Sequence, residues 1–134
     1  MIAVDTSVVV AAFASWHEGH AASAAVLARR PLLPAHAALE TFSVLTRLPP
    51  PHRAAAELVA AFLESRFSKP VLTLAPGDLR HLIARASTIG LVGGQIYDAV
   101  IGMTAAQAGA KLLSRDRRAA LTYERLDVPF ELVT

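Results

Sequence analysis

Short apolar runs alternate with longer helix-forming stretches along this chain, and that alternation constrains its fold most strongly. The apolar runs predict strands at 2–4, 32–34, 71–74, 111–114 and 129–132. Alanine-rich or amphipathic stretches predict helices at 8–14, 18–30, 35–48, 52–67, 76–89, 95–108 and 116–123. Strands that alternate with helices form parallel β-α-β units, whose sheet is covered on both faces. We therefore predict an α/β domain with a parallel sheet of four to five short strands flanked by helices.

Composition indicates one globular domain over residues 1–134. The apolar fraction of 54% and the charged fraction of 18% exclude a disordered chain, which would be rich in charge and poor in core residues. The chain has no cysteine, which excludes a disulfide-stapled miniprotein. No apolar run approaches the ~18 residues of a membrane span, and no basic stretch precedes an apolar segment as in a secretory signal. We therefore expect a cytoplasmic protein without membrane association.

Four acidic residues stand at informative positions in this pattern. Asp5 follows the first predicted strand and Asp116 follows the strand at 111–114, so both lie at carboxyl ends of strands, where parallel sheets bind ligands. Asp98 falls in the first turn of a predicted helix, and Glu40 lies inside another. Taken singly, each acid has an ordinary structural explanation. The aspartates can cap helices or complement their dipoles, and Glu40 can belong to a solvated helix face.

Taken together, these carboxylates predict a metal site. A parallel sheet brings Asp5 and Asp116 to the same edge, and four carboxylates that met without a cation would repel one another and raise their pKa values. Oxygen ligands favour hard cations, which points to Mg²⁺, with Mn²⁺ as a substitute. Such an ion can activate a water molecule and stabilise the leaving oxygen when a phosphodiester bond is hydrolysed.

Four short motifs, in order along the chain, resemble those of the PIN domain family. They are Ile2-Ala3-Val4-Asp5-Thr6-Ser7, Leu39-Glu40-Thr41, Tyr97-Asp98-Ala99 and Leu113-Ser114-Arg115-Asp116. The compact size and the motif spacing resemble the VapC-type toxins of bacterial toxin–antitoxin pairs. The resemblance implies a PIN-like three-layer α/β/α fold and an endoribonuclease that depends on Mg²⁺ or Mn²⁺. It also implies a homodimer and a cognate VapB-like antitoxin.

The resemblance assigns roles to individual positions. The family's catalytic and metal-binding acids match, by position, Asp5, Glu40, Asp98 and Asp116. Thr6 and Ser7 match the family's hydroxyls beside the first acid, where Ser7 would orient a carboxylate. Many PIN domains carry a further acid at the position of Arg118 in this chain, so whether one or two metal ions act stays open.

Basic residues surround the last of the four acids. We expect Arg115, Arg117 and Arg118 to contact RNA phosphates, and the alternative is a solvated basic face. The net charge of the chain is only +2. A basic surface around an acidic pocket nevertheless suits a polyanionic substrate held near metal ions.

Two predicted helices, at 8–14 and 54–67, carry more apolar residues than one buried stripe needs. The surplus consists of Phe13, Trp16, Leu58, Val59, Phe62 and Leu63. Exposed apolar surface of this kind marks interfaces. We therefore expect an antitoxin segment to lie across these helices, with a basic side chain that reaches the acidic pocket and displaces Mg²⁺.

Other functions stay open at this point. A PIN-like nuclease could act on other nucleic acids, and a catalytically silent module could act only by binding proteins. A phosphatase with Asp5 as nucleophile is disfavoured, because Ser7 stands where a second acid is expected. His17 and His20 are three residues apart rather than four and do not match the zinc motif of metalloproteases.

Overall fold

The computed structural model describes residues 1–134 and contains three strands and seven helices. In chain order they are β1 (Ile2–Val4), α1 (Thr6–Phe13), α2 (His20–Leu27), α3 (Ala35–Thr46), α4 (Ala56–Arg66), α5 (Pro76–Ile89), α6 (Gln95–Gln107), β2 (Lys111–Ser114), α7 (Arg117–Arg125) and β3 (Phe130–Leu132). The predicted α/β class is confirmed. Helices α2 and α4 are shorter than predicted, and residues 49–55, with three consecutive prolines, form turns and irregular backbone instead of the start of α4.

All three strands are parallel and lie in the order β1-β2-β3. Val4 pairs with Leu113, and Leu113 pairs with Glu131. Because the strands point the same way, their carboxyl ends lie at one edge of the sheet. Asp5 directly follows β1 and Asp116 follows β2 after one residue, so the sheet alone brings these two acids to the same edge.

The prediction of four to five strands is wrong in number. Segments 32–34 and 71–74 contribute only isolated parallel bridges, from Leu32 to Ala3 and from Leu72 to Pro34. The amide of Leu72 donates to the carbonyl of Leu33 at 2.9 Å, and that of Ala35 donates to the carbonyl of Leu72 at 2.8 Å. Prolines at 31, 34 and 70 lack the amide proton that a longer ladder needs. Both segments therefore lie alongside the sheet without becoming strands.

Helices cover both faces of the sheet. Leu112, Leu113 and Ser114 are all buried in β2, and consecutive strand residues point to opposite faces, so neither face is open to solvent. Helices α1, α6 and α7 contact β2, and a cluster of 23 buried residues forms one continuous core. This arrangement agrees with the predicted three layers. None of the helices combines the length and apolar character that crossing a membrane requires.

The apolar surface expected on two helices is smaller than predicted. Val59 is fully buried, so it cannot line a docking surface, and four residues of α1 are buried as well. Phe13 and Phe62 pack edge to face with ring centroids 5.2 Å apart, so each ring buries part of the apolar area of the other. Trp16 and Leu58 remain exposed. The expected surface is therefore reduced mainly to these two residues.

Candidate active site

Asp5 is the most buried acid of the site, with 3% of its surface exposed. It caps helix α1: its Oδ1 accepts hydrogen bonds from the amide of Ser7 at 3.0 Å and from the Ser7 hydroxyl at 2.5 Å. Its Oδ2 accepts a hydrogen bond from the Tyr123 hydroxyl at 2.8 Å. Burial raises the pKa of Asp5, while hydrogen bonds from Ser114, Ser7 and Tyr123 act in the opposite direction. The capping role and a ligand role are therefore compatible, since both oxygens are held in fixed positions.

Asp116 is also a helix cap. Its Oδ1 accepts hydrogen bonds from the amides of Arg118 at 2.9 Å and Ala119 at 3.2 Å, at the start of α7. Its own amide donates to Ser114 Oγ at 3.0 Å, which fixes the turn between β2 and α7. Both capping bonds use Oδ1, so Oδ2 is available to a ligand.

Glu40 and Asp98 approach the same pocket from two helices, α3 and α6. Glu40 Oε1 accepts a hydrogen bond from the Thr6 hydroxyl at 2.6 Å, which ties α3 to the start of α1. Burial, followed by the negative charges of Asp116, Glu40 and Asp5, raises the pKa of Asp98 to about 7. The negative charges of all three other acids therefore act on the carboxyl group of Asp98.

The four predicted acids line one pocket of about 690 Å³. The structure thus brings together Asp5, Glu40, Asp98 and Asp116, which come from four separate places in the sequence. As the side chains stand, no three acidic or histidine groups converge closely enough to hold a metal ion. The donor set still fits a hard cation, because it consists of carboxylate oxygens in a partly desolvated pocket with mutual repulsion to relieve.

Ser7 connects the first acid to the loop that carries the last one. Its hydroxyl donates to Asp5 and accepts a hydrogen bond from the amide of Arg115 at 2.8 Å. Thr6 holds Glu40, as described above. Both predicted hydroxyl residues therefore position a carboxylate of the pocket, although each contacts a different one.

The three arginines expected to contact phosphate all line the pocket. Arg115 is the most constrained of them. Its Nη1 donates to the carbonyl of Val133 at 3.4 Å, and its guanidinium lies against Gly19, where a Cβ atom would collide with it. Arg117 and Arg118 begin α7 and are exposed. The pocket is thus lined by both acidic and basic side chains.

Tyr123 lines the pocket as well, although no sequence pattern indicated it. Its side chain is fully buried on α7, and burial, followed by the charge of Asp5, strongly raises the pKa of its hydroxyl. The ring needs the space left by a glycine, because a Cβ atom on Gly102 would lie 2.9 Å from its Cδ1 atom. Tyr123 is 118 residues from its partner in the chain, so no local pattern could have indicated the pair.

Comparisons with known proteins give a family, two relatives and a similar fold. A model of the family described as PIN domain matches residues 2–125. The chain is 55% identical over 134 residues, all of both chains, to "Ribonuclease VapC40" of Mycobacterium tuberculosis. It is 41% identical to "Ribonuclease VapC27" of the same species over 128 residues, which are 95% of this chain and 93% of that protein. The crystal structure of PAE2754 from Pyrobaculum aerophilum has a similar fold, with a TM-score of 0.61 and 21% identity over 94% of this chain and 95% of that one.

Proposed function

This chain belongs to the PIN domain family as a VapC-type ribonuclease toxin, and from that premise we propose that it hydrolyses RNA with a divalent metal ion held in the acidic pocket. The observation that carries the proposal is the meeting of four carboxylates from separate elements in one pocket, close enough for three of them to raise the pKa of the fourth. We assign catalysis and metal binding to Asp5, Glu40, Asp98 and Asp116.

We assign the metal as Mg²⁺, with Mn²⁺ as a substitute, since all candidate ligands are carboxylate oxygens. Asp5, Glu40, Asp98 and Asp116 would hold it. Once bound, an ion of this kind supplies a water of lowered pKa and stabilises charge on phosphate oxygens. VapC-type enzymes of this family generally depend on divalent metal. What we propose for this chain is which ion binds and which residues are its ligands.

The chain's own residues have three tasks in this reaction. Ser7 and Tyr123 hold the two oxygens of Asp5, and Thr6 holds Glu40, so two carboxylates are fixed before substrate arrives. The arginines that line the pocket bind and orient the RNA backbone through its phosphates. Asp98, whose pKa is about 7 without metal, can hold a proton until a cation replaces it.

VapC toxins generally pair with VapB antitoxins, and we propose a cognate VapB-like antitoxin for this chain. Trp16 and Leu58, both exposed, are the apolar residues left on the expected docking surface. An antitoxin basic side chain that entered the acidic pocket would compete with Mg²⁺ for the carboxylates. We further propose that the ribonuclease is a homodimer, that it acts in the cytoplasm and that it does not associate with membranes.

Cleavage of total RNA tests the proposed function directly. Purified protein is incubated with total RNA in Mg²⁺, in Mn²⁺ and in EDTA, and the cut ends are mapped. We expect discrete cuts that need the metal and that disappear in the Asp98→Asn variant. Cleavage that persists in EDTA, or metal-dependent cleavage of DNA without cleavage of RNA, would refute the proposal.

A further inference from the structure

Two aromatic rings form a flat stack beside the acidic pocket. Tyr97 and His36 lie with ring centroids 4.9 Å apart and an angle of 6° between the ring planes. His36 Nε2 is 3.8 Å from Glu40 Oε2, and Tyr97 immediately precedes Asp98 in α6. Neither ring lines the pocket itself, but His36 contacts Glu40, which does, so the stack lies beside the pocket.

The Tyr97 side chain does not contribute to the hydrophobic core. Half of its surface is exposed, at 50%, and it does not belong to the hydrophobic core or to the residues packed against it. Leu39, which is 69% exposed, lies three residues after His36 on the same face of α3. Tyr97 is thus a half-exposed aromatic ring, stacked on a neighbour that contacts the Glu40 carboxylate. Such a ring is suited to bind another flat ring.

We propose that Tyr97, held in place by His36, stacks against one unpaired base of the RNA, next to the phosphodiester bond in the pocket. This inference rests on the proposed function, since it assumes that the substrate phosphate enters between the carboxylates and the arginines. A base projects sideways from its phosphate, so a nucleotide whose phosphate lies in the pocket has its base outside it, and the exposed Tyr97 ring beside the pocket offers that base a flat face. Single-stranded RNA is commonly bound by stacking on aromatic side chains, whereas a base inside a duplex has no free face to offer.

The proposal gives Tyr97 the contact with a base, in addition to the phosphate contacts proposed for the arginines. Stacking accepts any base, because every base has a flat face. Tyr97 therefore contributes to binding an unpaired base without selecting a particular sequence. His36 has a supporting role: it covers one face of the Tyr97 ring and leaves the other side for the ligand.

Variants at Tyr97 separate stacking from apolar contact. Tyr97→Phe keeps a ring and should bind unpaired RNA like the wild type. Tyr97→Leu keeps apolar area without a flat face, and Tyr97→Ala removes both. Loss of one base–aromatic stack should raise the Kd for single-stranded RNA about tenfold in these last two variants. Ile83→Ala is the matched control, since Ile83 is an exposed apolar side chain on α5 that does not line the pocket.

The experiment measures stacking itself. Single-stranded RNA oligonucleotides carry, at successive positions, a fluorescent adenine analogue whose emission is quenched by stacking. Binding is followed in Ca²⁺ and in EDTA, and a denaturing gel confirms that the RNA stays intact. We expect position-dependent quenching with wild type, Tyr97→Phe and Ile83→Ala, and none with Tyr97→Leu or Tyr97→Ala. An abasic nucleotide at the quenched position should weaken binding to wild type but not to Tyr97→Ala.

Three outcomes would overturn the proposal that Tyr97 stacks against a base. They are quenching that survives in Tyr97→Ala, equal binding by Tyr97→Leu and wild type, and a change in the solution mass of Tyr97→Ala. The last would show that a second copy of the chain covers Tyr97. Quenching without any metal-dependent cleavage would count against the proposed function while supporting base stacking on Tyr97. Cleavage without quenching would support the proposed function and count against stacking, and a wild type that binds no RNA would overturn both.

Discussion

Removing one hydroxyl, in Tyr123→Phe, isolates the contribution of the buried contact to Asp5. The Tyr123 hydroxyl donates to Asp5 Oδ2 at 2.8 Å, and Asp5 is 3% exposed, so water cannot easily replace the lost donor. A hydrogen bond to a charged group contributes roughly 1.5–3 kcal/mol, so we expect a loss of about 2 kcal/mol in the free energy of unfolding. For a domain of this size that loss lowers Tm by roughly 6–10 °C. The pKa of Asp5, already raised by burial, should rise further because a bond that lowers it is gone.

The same change should weaken metal binding. Groups that orient a ligating carboxylate typically affect metal affinity or activity about tenfold to a hundredfold, and we expect the Kd for Mn²⁺ to rise within that range. Thermal unfolding in EDTA and calorimetric titration with Mn²⁺ measure the two effects separately. Tyr97→Phe is the control, because it removes the chain's other tyrosine hydroxyl from an exposed ring. A Tyr123→Phe variant with wild-type Tm and wild-type affinity for Mn²⁺ would refute the reasoning.

Three further predictions concern the pocket. Amide substitution of Asp5, Glu40, Asp98 or Asp116 should abolish or sharply reduce metal-dependent cleavage, and full activity in two of the four variants would contradict the assignment. Stability in EDTA should hold or rise in Asp98→Asn, which removes like-charge repulsion, whereas Asp5→Asn should be less stable because it disturbs the hydrogen bonds that Asp5 accepts. Burial and the charges of the neighbouring acids raise the pKa of Asp98 from its ordinary 3.8 to about 7, so the folded protein binds the extra proton and metal-free stability should fall as pH rises between these values. Denaturant titrations at several pH values should therefore show Asp98→Asn gaining on wild type toward neutral pH, and a constant difference would be evidence against the shift. Arg118→Ala should weaken RNA binding across sequences and flatten its dependence on salt, and a changed choice of cut site would instead indicate base recognition.

The fold class could be predicted because it depends on local patterns. Parallel pairing follows from strands alternating with helices, and the boundaries of α5 and β2 follow from Pro76, Gly90 and a short leucine-rich run. The number of strands could not be predicted in this way. Segments 32–34 and 71–74 have strand-like composition, but pairing depends on which amide protons face a neighbour, and prolines remove several of them.

The sequence by itself determined which residues could serve as ligands and which end of the sheet would hold two of them. Asp5 and Asp116 stand just after strands, and parallel strands end at one edge, so their proximity follows from local structure and strand direction. Only the tertiary structure decided the contacts that hold and surround those acids. Tyr123 reaches Asp5 over 118 residues through the space at Gly102, and Tyr97 reaches His36 from another helix. Side-chain contacts between elements depend on how helices pack over the sheet, and that packing is set by the volumes of the whole core and not by any local pattern.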